Sequence, residues 1–194
     1  MQTPEQNAPF FFGYGSLVNL RTHDHAPAHL ARARGWRREW RALPEGDHAF
    51  LTAVPDAGAE IEGVIAPVPG GDWRALDLRE AFYDRLDATE VVHHDGPAAA
   101  IAIYAVPETR APRAPGRRTA PILLSYLDVV LQGYLDMFGE AGAARFFDTT
   151  EGWETPVLDD RAAPLYPRAQ VLPASLRGWI DKALAARGIA PFAA

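Results

Sequence analysis

Glu80 stands out chemically because of the company it keeps. The spacing predicts a helix from Asp72, its N-cap, to about Tyr83, on which Trp73, Leu76, Glu80 and Tyr83 share one side at i, i+3, i+7 and i+10. Three of these are large and apolar or aromatic; the fourth is a carboxylate. Burying an ionised carboxylate is expensive, so desolvation raises its pKa toward neutrality, where it can take up and return a proton. Leu78 and Phe82 mark a second apolar side, which leaves the inward direction open, and Arg79 or Arg85 can pair with Glu80 at a surface.

A second candidate lies where an apolar run breaks, in the stretch PFFFGYGSL from Pro9 to Leu17. Glycine weakens a strand interior, so Gly13 and Gly15 mark a sharp turn or a close approach to the backbone. A dinucleotide fingerprint needs a third glycine where Val18 stands. A nucleophile elbow around Ser16 needs glycines where Tyr14 and Val18 stand, and a phosphate loop needs a Gly-Lys-Ser/Thr ending that is absent. A glycine-rich turn remains, whose free N–H groups suit an anion or a carbonyl oxygen.

Histidines form the third cluster. His23, His25 and His29, with Asp24, suggest a metal-dependent hydrolase as an alternative, but Pro27 interrupts any i, i+4 pairing of His25 with His29 and no His-Glu-x-x-His pattern occurs. His93 and His94 close an expected strand, where neighbouring side chains face opposite sides.

These groups need a scaffold. With 194 residues, 48% hydrophobic and 23% charged, the chain suits a single domain spanning 1–194. A net charge of −6 offers no basis for nucleic-acid binding, and the absence of cysteine excludes disulfides and thiol chemistry. No stretch approaches the ~20 apolar residues of a membrane span. The segment Met1 to Pro9 is polar without a basic region, so no secretory signal and a cytoplasmic location are expected.

Strands are expected over 10–17, 48–55 and 60–68, the last two separated by a turn containing Asp56 and Gly58. Residues 86–94 and 98–106 read as a strand pair joined through Asp95-Gly96-Pro97, while 31–43 fits helix or strand. Further helices are expected behind Pro121, carrying Leu127, Val130, Tyr134 and Phe138, and from Ser175 to Gly188. Residues 107–121, rich in proline and arginine, read as an exposed connector or lid. Polar loops follow, from Asp148 to Trp153 and from Asp159 to Arg168. Mixed strands and helices make a mixed α/β (α+β) domain.

Three motifs, in order, resemble the γ-glutamylcyclotransferase-like family. Tyr14-Gly15-Ser16-Leu17 matches its N-terminal Tyr-Gly-Ser/Thr. The run Leu76-Asp77-Leu78-Arg79-Glu80, followed by Tyr83 and Arg85, matches its Leu-Asp-x-x-Glu element. Ser125-Tyr126 followed by Gly133 looks like its tyrosine-bearing helix. The resemblance covers about residues 10–138 and leaves 139–194 as a C-terminal helical extension. It implies a small barrel-like β-structure surrounded by helices, and an intramolecular reaction in which a γ-glutamyl amide or peptide closes to 5-oxoproline and releases an amine. It further implies Glu80 as catalytic base and then acid. The amides of Gly15, Ser16 and Leu17 would bind substrate oxygens, with Tyr14 walling the pocket and Tyr126 donating a hydrogen bond. Its partner would be a small γ-glutamyl compound, without cofactor, metal, nucleic acid or membrane. A non-catalytic small-molecule binding protein of the same fold is the alternative, and oligomeric state is left open.

Overall fold

The computed structural model describes residues 8–42, 46–110 and 120–193; residues 111–119, at the centre of the expected connector, lie outside this range. The run Pro9–Gly13 forms β1, a strand covered on both faces. Phe10 and Phe12 enter the main core, while Phe11 points the other way into a smaller cluster with Leu17, Ala66, Val68, Leu76 and Tyr104.

The ambiguous stretch 31–43 is strand over its described residues: β2 spans His29–Ala42. It pairs antiparallel with β3 (Ala49–Pro67), which corrects the two strands and intervening turn expected there. Arg34 faces Glu60 and Trp36 faces Pro55, so residues 56–59 form a bulge opposite Gly35, whose φ is 75°. Asp56 accepts the Gly58 N–H (3.1 Å) and closes a local turn inside the bulge. The turn residues are therefore real turn formers, but both flanking segments pair with the same partner strand.

The expected pairing of 86–94 with 98–106 holds at its start, where 84–87 pair antiparallel with 102–105, and is corrected beyond it, where 92–94 pair with β2. The chain forms β4 (Asp84–Asp87), β5 (Val92–His94) and β6 (Ala100–Ala105), with β6 parallel to β1 and antiparallel to β4, and β5 on β2. The almost continuously apolar β6 takes an interior place, with Ile101 to Val106 all buried. The resulting sheet runs β4-β6-β1-β3-β2-β5, with β8 (Thr150–Glu151) also on β2, and curls into an open half-barrel.

Three α-helices complete the mixed α+β fold among the described residues: α1 (Arg74–Arg79), α2 (Leu124–Asp148) and α3 (Ala174–Ala185). Helix α2 is apolar on several sides and correspondingly buried, with Leu127, Val129, Val130, Leu131 and Tyr134 fully enclosed. It breaks at Gly139, where φ is 67°. Short strands β7 (Ile122–Leu123), β9 (Val157–Asp159) and β10 (Phe192–Ala193) make a second sheet. Phe146, Leu172, Ile180 and Leu184 from the C-terminal part join the same core as Phe12 and Ile65.

One buried cation ties these layers together. Arg38 donates to Thr149 Oγ1 (2.8 Å), Thr150 Oγ1 (3.2 Å) and the Glu62 carbonyl (3.2 Å), with its guanidinium over the adjoining rings of Tyr134 and Phe146. The Tyr134 hydroxyl lies 2.7 Å from the Glu62 carbonyl and 3.0 Å from that of Tyr14, which holds the end of β1 against α2.

Candidate active site

The backbone after β1 folds into one 3-10 turn, Ser16–Val18, closed by the Val18 N–H on the Gly15 carbonyl (3.0 Å). The strand expected to reach residue 17 therefore ends at Gly13. Close approach explains both glycines. A Cβ on Gly13 would sit 2.7 Å from Leu17 Cβ, and one on Gly15 would sit 2.8 Å from the Tyr126 hydroxyl.

Tyr14 is committed to the fold at its polar end. Its hydroxyl donates to the Tyr104 carbonyl (2.5 Å) and accepts the Ala53 N–H (3.0 Å), so its ring walls the cavity while its oxygen is occupied. His23 is a similar tie. Its Nδ1 accepts the His25 N–H (3.2 Å) and its Nε2–H donates to the Leu17 carbonyl (2.9 Å), while burial pushes its pKa down to about 4 and keeps it neutral. His23 and His25 stack edgewise on Phe11, and no group of three or more His, Cys, Asp or Glu among the described residues could hold a metal ion.

Glu80 reaches the site by a route that differs from the expected one. Helix α1 stops at Arg79 instead of continuing to Tyr83, and Glu80 is its C-cap, with φ −101° and ψ 34°. The chain must turn here to deliver β4 to β6, and Tyr83 anchors the turn by donating to the Leu51 carbonyl (2.9 Å). The Glu80 side chain is 15% exposed, and its Oε1 accepts from Arg79 Nε (3.1 Å). Arg79 also donates to the Thr22 carbonyl (3.1 Å) and approaches Ser16 Oγ (3.4 Å), bridging the carboxylate to the glycine turn. Burial raises the Glu80 pKa; the cations Arg79 and Arg168 pull it back only in part.

These elements enclose an inner cavity of about 30 Å³, lined by the Tyr14–Leu17 turn with Leu51, Glu80, Tyr83, Tyr104 and Tyr126. All six candidate residues (Tyr14, Gly15, Ser16, Leu17, Glu80 and Tyr126) thus meet at one place. The cavity shares Ser16, Leu51, Glu80, Tyr83 and Tyr126 with an outer cleft of about 410 Å³, walled further by Phe50, Phe82, Tyr166 and Arg168. Burial pushes the Tyr83 and Tyr126 hydroxyls well up, so both stay protonated and able to donate.

Sequence reasoning left Leu51, Tyr104, Tyr166 and Arg168 out of the site. The last two belong to the C-terminal extension, on a loop whose residues carried no assigned role. That loop is pinned by Asp160, which accepts from the Ser125 N–H (2.8 Å), Ser125 Oγ (2.6 Å) and the Leu165 N–H (2.9 Å).

A half-barrel with one long helix packed against it, and a buried cleft at the end of its first strand, make a γ-glutamylcyclotransferase-like fold. Solved structures of the same fold include one described in those words and others without an assigned activity. A γ-glutamyl cyclotransferase aligns over 90% of this chain and 99% of its own, at 15% identity and a TM-score of 0.57. An uncharacterized human protein, LOC79017, aligns over 89% and 97%, at 13% identity and a TM-score of 0.55. YkqA from Bacillus subtilis aligns over 75% of this chain and 56% of its own, at 18% identity and a TM-score of 0.51. No protein-family model and no curated protein sequence matches the chain. Among the described residues, no helix is long and apolar enough to cross a membrane.

Proposed function

We propose that the protein cyclises γ-glutamyl amides or peptides to 5-oxoproline and releases the amine. The observation that carries this reading is a largely buried carboxylate, Glu80, facing a tight glycine turn across a cleft suited to a small amide. The substrate's α-amino nitrogen attacks its own γ-carbonyl carbon, forming the ring C–N bond as the original amide C–N bond breaks. Glu80 takes one proton from the ammonium so that the free amine can attack, and gives it to the departing nitrogen. The attacking nitrogen sheds its second proton as the ring closes and the released amine takes one up from water, so protons and charge balance without a cofactor. Tyr126 and the amides of Gly15, Ser16 and Leu17 bind substrate oxygens, including the γ-carbonyl oxygen as negative charge builds on it. Ser16 Oγ orients the substrate. Holding the glutamyl arm folded supplies much of the acceleration, because attack is intramolecular.

A panel of γ-glutamyl amino acids, γ-glutamyl amines and glutathione, assayed for 5-oxoproline, tests the proposal. At least one member is converted to 5-oxoproline and free amine in equal amounts. Release of glutamate instead would mean hydrolysis, and no release from any member would leave the cyclisation reading without support.

Arg79 sets the working pH in this scheme. Only ionised Glu80 accepts the first proton, so kcat/KM falls as pH drops through its pKa. Arg79 stabilises the ionised form and burial opposes it. Arg79→Gln therefore raises the pKa further, and the acid limb of the pH profile moves to higher pH. An unmoved limb, with activity merely scaled down, would assign Arg79 to the packing of the turn alone.

A further inference from the structure

The glycine turn and Glu80 come from distant parts of the chain, yet one residue of β6 is tied to both. Tyr104 is buried, and its two polar ends serve different neighbours. Its carbonyl accepts the Tyr14 hydroxyl (2.5 Å), at the start of the glycine turn. Its own hydroxyl donates to Asp77 Oδ1 (2.5 Å), on α1 about one helical turn before Glu80. Arg85 of β4 donates to both oxygens of the same carboxylate (3.1 Å each) and lies over the Trp73 ring at 4.4 Å, so Asp77 is gripped from two strands. On its buried side, α1 seats Leu76 in the cluster of Phe11, Leu17 and Tyr104.

A helix of six residues does not hold itself, since isolated helices shorter than about 12 residues are marginal even with good helix formers. What grips α1 therefore decides where it lies. Burial of Leu76 is non-directional and leaves the helix free to rock, whereas a short hydrogen bond to a carboxylate fixes both distance and direction. The Glu80 N–H closes the last turn on the Leu76 carbonyl (2.9 Å), so any rocking of α1 is passed straight to the acid. We infer that Tyr104 is a positioning residue: through Asp77 it sets how far Glu80 stands from the glycine turn and keeps water from the acid. The inference rests on the cyclisation reading for the reaction served, but it makes a separate claim about where Glu80 sits.

Tyr104→Phe removes one hydroxyl, keeps the ring against Leu76 and the carbonyl for Tyr14, and changes no charge. With α1 released on that side, water reaches Glu80 and its raised pKa falls toward the ordinary carboxylate range, while the cations Arg79 and Arg168 stay as they are. Carboxyl-carbon NMR titration of glutamate-labelled protein reads this shift, with the Glu80 resonance identified by its loss in Glu80→Gln. On a γ-glutamyl substrate, kcat drops by about tenfold to a hundredfold, the scale of an ångström-sized misplacement, and KM stays within about twofold because the turn still binds substrate. Asp77→Ala, which also frees Arg85, costs at least as much, and adding Tyr104→Phe to it costs nothing further, since the bond is already gone. Asp77→Asn keeps an acceptor for Tyr104 and recovers most of the loss. A Glu80 titration left in place in folded Tyr104→Phe overturns the inference and assigns Tyr104 to stability alone; a further loss in the double variant overturns it as well. Where Tyr104→Phe does not fold, Asp77→Asn against Asp77→Ala carries the test, and equal losses overturn the inference. A titration that moves in protein yielding no 5-oxoproline from any γ-glutamyl compound upholds the inference, and the cyclisation reading alone fails.

Discussion

Glu80→Gln lowers kcat for 5-oxoproline release by about 10³-fold, the scale of a well-placed general acid–base catalyst. Glutamine keeps the size of the side chain and an oxygen for Arg79, but it does not accept a proton in the working pH range. The same group serves both proton transfers, so both are lost at once. Stability changes little, and the sign can be worked out. A carboxyl whose pKa is higher folded than unfolded holds its proton more tightly in the native state, so above that folded pKa its ionised form subtracts from stability. Glutamine removes this penalty together with the Arg79 ion pair, and the two changes oppose each other. The melting temperature of the variant accordingly stays within a few degrees of wild type. Turnover near the wild-type rate in a folded Glu80→Gln protein would take Glu80 out of the mechanism.

Gly133→Val is the largest expected loss of stability, about 3 kcal/mol, which is roughly 10 °C in melting temperature for a chain of this size. Helix propensity by itself argues the other way, since a mid-helix glycine is worse than alanine by about 1 kcal/mol. Packing outweighs it. A Cβ on Gly133 would sit 2.7 Å from the backbone N of Asn19 and 2.8 Å from its Cα, and a backbone cannot yield as a side-chain tip can. Asn19 is itself buried, donating to the Val129 carbonyl (2.8 Å) and Gln132 Oε1 (2.9 Å). Two branched methyls force α2 away from the segment that follows the glycine turn and break these bonds. Activity falls further than stability accounts for, because Tyr126 on α2 loses register with Gly15 and Ser16. Urea unfolding and thermal melts check the first effect, and kcat/KM measured where the variant is still folded checks the second. Wild-type stability in Gly133→Val would mean that α2 does not approach Asn19 so closely.

Several elements were legible in the residues themselves. The Phe10–Phe12 run ending in two glycines announced a buried strand and a close approach, and the structure identifies what approaches: Leu17 at Gly13 and Tyr126 at Gly15. The helix behind Pro121 and the last helix were legible from periodicity. The strand pairings were legible only in part. Alternation and apolar runs report how deeply a segment is buried, not which neighbour buries it: β4 follows the expected pairing onto β6, but β5 goes to β2, and the segments on both sides of the Asp56 turn pair with β2 instead of forming two separate strands.

Glu80 shows the division most clearly. Its sequence neighbours pointed to a carboxylate on the apolar side of a helix, whereas it is the residue at which that helix ends. By itself the sequence determined a mixed α+β chain, a glycine turn open to close contact, and an acid placed among aromatic residues. Tertiary structure alone decided that this acid meets that turn, because Leu51 from β3 and Tyr126 from α2 close over the bend that carries Glu80 and Tyr83. Desolvation belongs to the whole enclosure, and a raised carboxylate pKa exists only once those elements have packed.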